Sequence, residues 1–137
     1  MKLFSRFWKS SKKPRKQRKY RLNAPLHIRK RMLKAHLSKQ LRKKYNRRSF
    51  SVRTGDKVRI TRGKYKGKQG SVESVDLKRL KITVSGVEIT KNDGSKVHPL
   101  IDPSNVEILE FKVEDKMRKQ ALERSKKKNG KKTLKKA

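Results

Sequence analysis

Gly55-Asp56-Lys57-Val58-Arg59-Ile60-Thr61-Arg62-Gly63-Lys64-Tyr65-Lys66-Gly67-Lys68-Gln69-Gly70-Ser71-Val72 is the stretch on which the reading of the fold turns. Val58 and Ile60 alternate with Lys57, Arg59 and Thr61, the period-two pattern of a strand with one face toward a core. The chain then crosses a loop punctuated by Gly63, Gly67 and Gly70 and returns to an apolar pattern at Val72. Glycines in such a loop permit positive φ and let the backbone approach a phosphate closely. Arg62, Lys64, Lys66 and Lys68 project charge from it, and Tyr65 offers a flat surface on which an unpaired base stacks. The same residues also read as an exposed turn whose glycines serve geometry alone. On the loop by itself the two readings stand level.

Downstream, Val72 and Val75 break strict alternation, which predicts a bulge or sharp bend. Leu80, Ile82 and Val84 alternate cleanly, Ser85-Gly86 supplies a two-residue turn, and Val87 and Ile89 continue as a hairpin partner. Asn92-Asp93-Gly94 marks another turn, and Val106 and Ile108 offer a last strand. Five short strands between residues 51 and 111 predict a mainly β chain, built on a small, strongly bent antiparallel barrel. Its expected core is Val58, Ile60, Val72, Val75, Leu80, Ile82, Val84, Val87, Ile89, Val106 and Ile108. A domain of this size buries only about 60% of its unfolded surface and is marginal alone, so a bound partner stabilises it by mass action.

Working outward, the charge divides the chain. Of 137 residues, 44 are Lys or Arg and 11 are Asp or Glu, a formal net charge of +33. Residues 1–50, 51–111 and 112–137 carry +20, +4 and +9, so a nearly balanced centre lies between two basic arms. Four regions follow: a basic N-terminal arm (1–22), a helical basic extension (23–50), the barrel (51–111), and a C-terminal helix with a basic tail (112–137). In the extension, Asn23 reads as an N-cap and Pro25 as a first-turn residue of a helix toward Tyr45. Leu33, Leu37, Leu41 and Tyr45 recur at steps of four, and Ser38 offers a second cap, which predicts a break near His36–Ser38. Lys12 to Arg21 alternates basic residues with Pro14, Gln17 and Tyr20 and reads either as an extended strand that threads between RNA helices or as a solvated charge run. Residues 112 to about 126 read as a helix with Glu114 and Asp115 near its N-terminal end. The Lys-rich tail after Ser125, with Leu134 its one large apolar residue, has no apolar pattern from which to form a core.

Few partners other than a polyanion neutralise so much positive charge. A DNA compactor satisfies charge alone equally well. There is no Cys, which excludes disulfides and thiolate metal sites. His27, His36 and His98 have no ligand at metal-binding spacing, and Ser104 lacks a nucleophile elbow. Asp56, Glu73 and Asp76 read as local charge balance. The expectation is therefore a non-enzyme without cofactor, metal or small-molecule substrate. No apolar run is long enough to span a bilayer. Phe4, Phe7 and Trp8 at i, i+3, i+4 in an acid-free stretch follow the pattern of a transit peptide or membrane-surface helix. Trp8 equally suits stacking on a base or packing on the barrel.

The loop of 55–72 resembles the KOW motif, and its flanks extend the match. Arg15-Lys16-Gln17-Arg18-Lys19-Tyr20, Asn23-Ala24-Pro25-Leu26-His27-Ile28-Arg29, Leu37-Ser38-Lys39-Gln40-Leu41-Arg42-Lys43-Lys44-Tyr45 and Asp102-Pro103-Ser104-Asn105-Val106 resemble the large-ribosomal-subunit family numbered twenty-four in bacteria and archaea and twenty-six in eukaryotes. The resemblance covers roughly residues 13–125 and leans archaeal. It implies an SH3-like barrel bound to large-subunit rRNA early in assembly, near the exit of the nascent-chain tunnel. It further implies a cytoplasmic, ribosomal location, neighbouring large-subunit proteins as partners, a monomer within the particle, and no membrane. A regulatory KOW module bound to RNA polymerase is the competing reading, and it calls for a less charged chain with a separate partner-binding domain. Asp102 stands where relatives commonly have His, and residues 1–12 have no clear counterpart. The candidate RNA-binding residues are Lys12, Lys13, Arg15, Lys16, Arg18, Lys19, Tyr20 and Arg21 in the arm, and Arg29, Lys30, Arg31, Arg47 and Arg48 in the extension. Arg59, Arg62, Lys64, Tyr65, Lys66 and Lys68 complete the set around the Gly-rich loop.

Overall fold

Apolar alternation places β3 (Lys57–Ile60) at the centre of the molecule, with Val58 and Ile60 buried and Lys57 and Arg59 exposed. The computed structural model describes residues 4, 5, 7 and 11–124. β4 (Gln69–Asp76) pairs antiparallel with β3, Val58 facing Gly70, and β8 (Val106–Glu110) pairs antiparallel on the other side, Val58 facing Ile108 and Ile60 facing Val106. β5 (Lys81–Val84) follows β4 across a tight turn. The register of that pair shifts between Val72 and Ser74, the bulge expected from the odd spacing of Val72 and Val75.

The extension contributes more than helices. β1 (Lys34–Leu37) adds to β8 in parallel, and β2 (Ser49–Ser51) pairs antiparallel with β1. The result is one mixed six-stranded sheet in the order β2-β1-β8-β3-β4-β5. This is an SH3-like fold, but its strands do not close into the all-antiparallel barrel expected. A single bridge, Ile82 to Ile101, returns the chain to the edge of β5 before one 3-10 turn (Pro103–Asn105) leads into β8. The expected hairpin across Ser85-Gly86 does not form. Instead β6 (Ile89–Thr90) pairs with β7 (Lys96–Val97) around Asn92-Asp93-Gly94 as a separate two-stranded ribbon. Ile89 is accordingly exposed.

Nine of the eleven expected core residues are buried; Val75 is half-buried and Ile89 is outside. Leu33, Ala35, Leu37, Val52 and Ile101 join that core. Leu33 and Leu37 belong to no single helical stripe. α2 (Leu26–Met32) ends just before Leu33, β1 takes Leu37 into the sheet, and α3 (Lys39–Tyr45) starts afresh. The strand wins here because Ala35 and Leu37 alternate with Lys34 and His36, burying two side chains against β8. Ser38 caps α3 as expected, accepting from the Leu41 N–H at 3.3 Å.

The arm is helical, not extended: α1 spans Pro14–Asn23. Pro14 sits in its first turn, where its missing N–H costs nothing, and Arg, Lys and Gln are good helix formers. Asn23 therefore closes α1 and does not cap α2; Pro25 stands at the cap of α2. Phe4 and Phe7 are not helical, and Phe4 packs on Tyr20 with ring centroids 5.0 Å apart. Trp8 and the tail after residue 124 lie outside the described residues. Among the described residues no helix is long and apolar enough to cross a membrane.

The C-terminal helix, α4, covers 116–124. It begins later than the charge pattern suggested because Asp115 is its cap, accepting from the Met117 N–H at 2.8 Å. Arg118 and Leu122, one turn apart, are both buried. Arg118 holds the fully buried Asp56 through two bonds, 2.7 and 2.5 Å long. The Asp56 carboxylate also accepts from the N–H groups of Arg53 (2.9 Å) and Lys112 (3.1 Å). Phe50 and Phe111 flank the guanidinium with centroids 5.8 and 5.0 Å away. Asp56 thus answers a charge 62 residues downstream, not the local balance expected.

Candidate nucleic-acid interface

The loop between β3 and β4 is closed by its own backbone. Gly67 N–H donates to Ile60 at 2.8 Å, Ile60 N–H to Lys68 at 2.9 Å, and Lys66 N–H to Gly63 at 3.1 Å. These N–H groups are engaged within the loop, which holds its backbone while the side chains of Arg62, Lys64, Lys66 and Lys68 stay exposed. Gly63 and Gly67 hold φ of 92° and 90° with open space where a Cβ would stand. Gly70 differs from the expectation of a loop glycine. It lies in β4 without positive φ, and a Cβ there would collide with the Ser85 carbonyl oxygen. Its role is to let the β5 end of the sheet pack closely.

Arg62, Lys64, Lys66 and Lys68 are exposed, and among the described residues none of them pairs with a carboxylate. Tyr65 is half-buried against the core, with Lys68 Nζ 5.5 Å from its ring centroid. Arg59 reaches Glu107 at 2.6 Å on the sheet beside the loop.

Lys12 and Lys13 just before α1, and Arg15, Lys16, Arg18, Lys19 and Arg21 along it, are all exposed, whereas Tyr20 is half-buried beneath Phe4. Arg29 turns inward: its guanidinium donates to the carbonyls of Leu22 and, at 2.9 Å, Ala24. Those are carbonyls left unpaired at the end of α1, so Arg29 holds the corner between α1 and α2. Lys30 and Arg31 are exposed on α2, Arg48 is exposed before β2, and Arg47 packs over the Phe50 ring at 5.4 Å. The candidates thus split into open cations on α1, α2 and the loop, and cations already used to hold the fold.

Linear reading passed over a further group. The β4–β5 turn, Leu77 to Leu80, is set by Asp76, whose Oδ1 accepts from the N–H groups of Lys78 (2.8 Å) and Arg79 (3.0 Å). These bonds, that from Arg79 foremost, hold the Asp76 carboxyl below its ordinary pKa of 3.8. Lys78 and Arg79 face Arg18 and Arg21 of α1 across an open cleft of about 390 Å³. Lys81 also lines it, paired with Asp102 at 2.5 Å. A Lys-Arg pair in a turn was the available signal, but its partners on α1 are far away in sequence.

For catalysis the arrangement offers nothing comparable. Among the described residues no three His, Asp or Glu side chains converge to hold a metal ion. His98 lies near Glu73 (3.6 Å) and the Val87 carbonyl (3.2 Å), bridging the β6–β7 ribbon to β4.

Residues 11–125 match the profile of a family of ribosomal proteins, described as the eukaryotic L26 proteins together with their archaeal counterparts numbered twenty-four. The chain belongs to that family. Among its relatives, the large ribosomal subunit protein uL24 of Methanosphaera stadtmanae is 49% identical over 114 residues, covering 83% of this chain and 97% of the relative. The uL24 protein of Methanothrix thermoacetophila is 50% identical over 114 residues, 83% and 98% of the two chains. That of Methanoculleus marisnigri is 49% identical over 112 residues, 82% and 93%. All three are archaeal, in line with the archaeal wording of the Asn-Ala-Pro-Leu-His segment. As an archaeal-type member of a ribosomal-protein family, the chain is a structural constituent and not an enzyme. The match begins at residue 11, so residues 1–10 lie beyond it.

Proposed function

We propose that this family member binds large-subunit rRNA directly, through the side chains of the β3–β4 loop and the exposed face of α1. The observation that carries the reading is the set of four loop cations without carboxylate partners among the described residues, held on a closed backbone beside an almost charge-balanced sheet. A polyanion relieves the repulsion among them, and contacts of this kind position RNA by its phosphates and shape. The family resemblance supports the finer reading that the protein joins early in assembly, near the polypeptide exit tunnel, beside other large-subunit proteins.

Filter binding of the full chain to in-vitro-transcribed large-subunit rRNA tests this. Affinity is expected to fall steeply with salt, each neutralised phosphate adding about 0.7–0.9 to the log–log slope. The triple variant Arg62→Ala, Lys64→Ala, Lys66→Ala is expected to bind more weakly while unfolding at an unchanged denaturant midpoint. Salt-insensitive binding, or a triple variant that does not fold, sinks the loop as an electrostatic contact. Order-of-addition reconstitution tests the early role: omission of the chain should stall the first particles and not the last.

A further inference from the structure

The β3–β4 loop and the β4–β5 turn lie at opposite ends of the eight-residue strand β4, on the order of 25 Å apart along it. Both ends are cationic, but they are built differently. At the turn, Arg18 and Arg21, three residues apart on one face of α1, converge with Lys78 and Arg79 on the cleft. One carboxylate, Asp102, lines the cleft and another, Asp76, sets the turn beside it, and both are already engaged. Asp76 accepts from two backbone N–H groups, with Arg79 Nε 3.9 Å from its other oxygen, and Asp102 holds Lys81. Among the described residues no carboxylate pairs with Arg18, Arg21 or Lys78, so like charges from two elements distant in sequence face one another across open space. Arg29 fixes the end of α1 by bonding its last carbonyls, and the Asp76 turn fixes the other wall. Both walls of the cleft are thus held by bonds within the chain.

We propose that this cleft is a second RNA-backbone site, taking phosphates of a segment other than the one at the β3–β4 loop, so that a single copy of the chain ties two stretches of RNA together. The inference rests on the RNA-binding reading above and deepens it. Convergent guanidinium groups suit phosphodiester oxygens, which they meet in forked, charge-assisted pairs. An open cleft rimmed by an acid-free helix suits a continuing chain of phosphates over a small free anion.

The test is backbone footprinting of the full chain on in-vitro-transcribed large-subunit rRNA, with three variants. These are the loop triple variant above, a cleft variant (Arg18→Gln, Arg21→Gln, Arg79→Gln), and a charge-preserving control (Arg18→Lys, Arg21→Lys, Arg79→Lys). Two groups of protected phosphates are expected with the unaltered chain. The cleft variant should lose one group and keep the other, and its salt slope should drop by about 2. The loop variant should show the reverse pattern, and the lysine control should retain both groups. The proposal is overturned if the cleft variant keeps every protection and the full slope, or if cleft and loop variants lose the same phosphates. Loss of all protection by the cleft variant with an unaltered circular dichroism spectrum also overturns it, since the two ends would not then act separately. If inorganic phosphate at millimolar concentration abolishes only the cleft-dependent protections, the cleft is a free-anion site and the bridging claim fails. If the unaltered chain protects no phosphate at all, the RNA-binding reading falls and takes this one with it.

Discussion

Asp56 is one of only 11 acidic residues in a chain with 44 basic ones, yet among the described residues it is the one carboxylate buried completely. Four donors surround it: two from Arg118 and the backbone N–H groups of Arg53 and Lys112. A buried ion pair of this kind adds little over an apolar substitute of the same shape, but removing one partner strands the other charge without water. Arg118→Ala is therefore expected to destabilise the full chain by about 3–5 kcal/mol, far more than any exposed arginine variant. Arg118→Lys should recover only part, because an ammonium cannot make the forked pair. Denaturant unfolding followed by far-ultraviolet circular dichroism checks both. A cost within about 0.5 kcal/mol of wild type for Arg118→Ala would show that the pair does not hold α4 to the sheet.

At the scale of elements, three aspartates organise turns and a helix start. Asp76 sets the β4–β5 turn, Asp93 sets the β6–β7 turn by accepting from Ser95, and Asp115 caps α4 while pairing with Arg53. Hydrogen bonds to the ionised form lower each of these carboxyls below 3.8: from the Arg79 N–H first for Asp76, the Ser95 hydroxyl for Asp93, and the Arg53 side chain for Asp115. A lowered folded value means that the unfolded chain takes up protons more readily. The stabilisation is therefore complete above the unfolded value and lost as pH falls through the folded ones. Thermal unfolding measured against pH should show a midpoint insensitive to these groups above about pH 5 and falling below about pH 4. Asp115→Asn, which keeps a capping oxygen but removes the charge, should lower the midpoint at neutral pH and flatten the acid limb; an unchanged limb would mean that the charge facing Arg53 is idle.

At the scale of the whole molecule, charge sets two responses of opposite sign. The net charge of +33 opposes compactness in the free chain, and salt screens that repulsion. Raising salt should therefore raise the unfolding temperature of the free protein while weakening its hold on RNA, a contrast that scanning fluorimetry and filter binding in the same buffers will show. Matching signs would refute the repulsion account. Much of this molecule is legible from its own residues. The alternation around Val58 and Ile60, the bulge after Val72, the Ser38 cap and nine of the eleven core positions follow from local periodicity and side-chain chemistry, which act over a few residues. The partition of charge into a balanced centre and basic flanks is likewise written in the chain before it folds. Other features depend on partners far apart in the chain and emerged only in three dimensions. Lys34 to Leu37 became a strand because β8 was there to receive it. Ile89 and Thr90 build a ribbon with Lys96–Val97 in place of the hairpin expected across Ser85-Gly86, while the edge of β5 took Ile101. Asp56 found Arg118 across 62 residues, and Arg18 and Arg21 came to face Lys78 and Arg79. Burial and long-range electrostatics reward such encounters only once the chain has folded, and no window of sequence contains both sides of any of them.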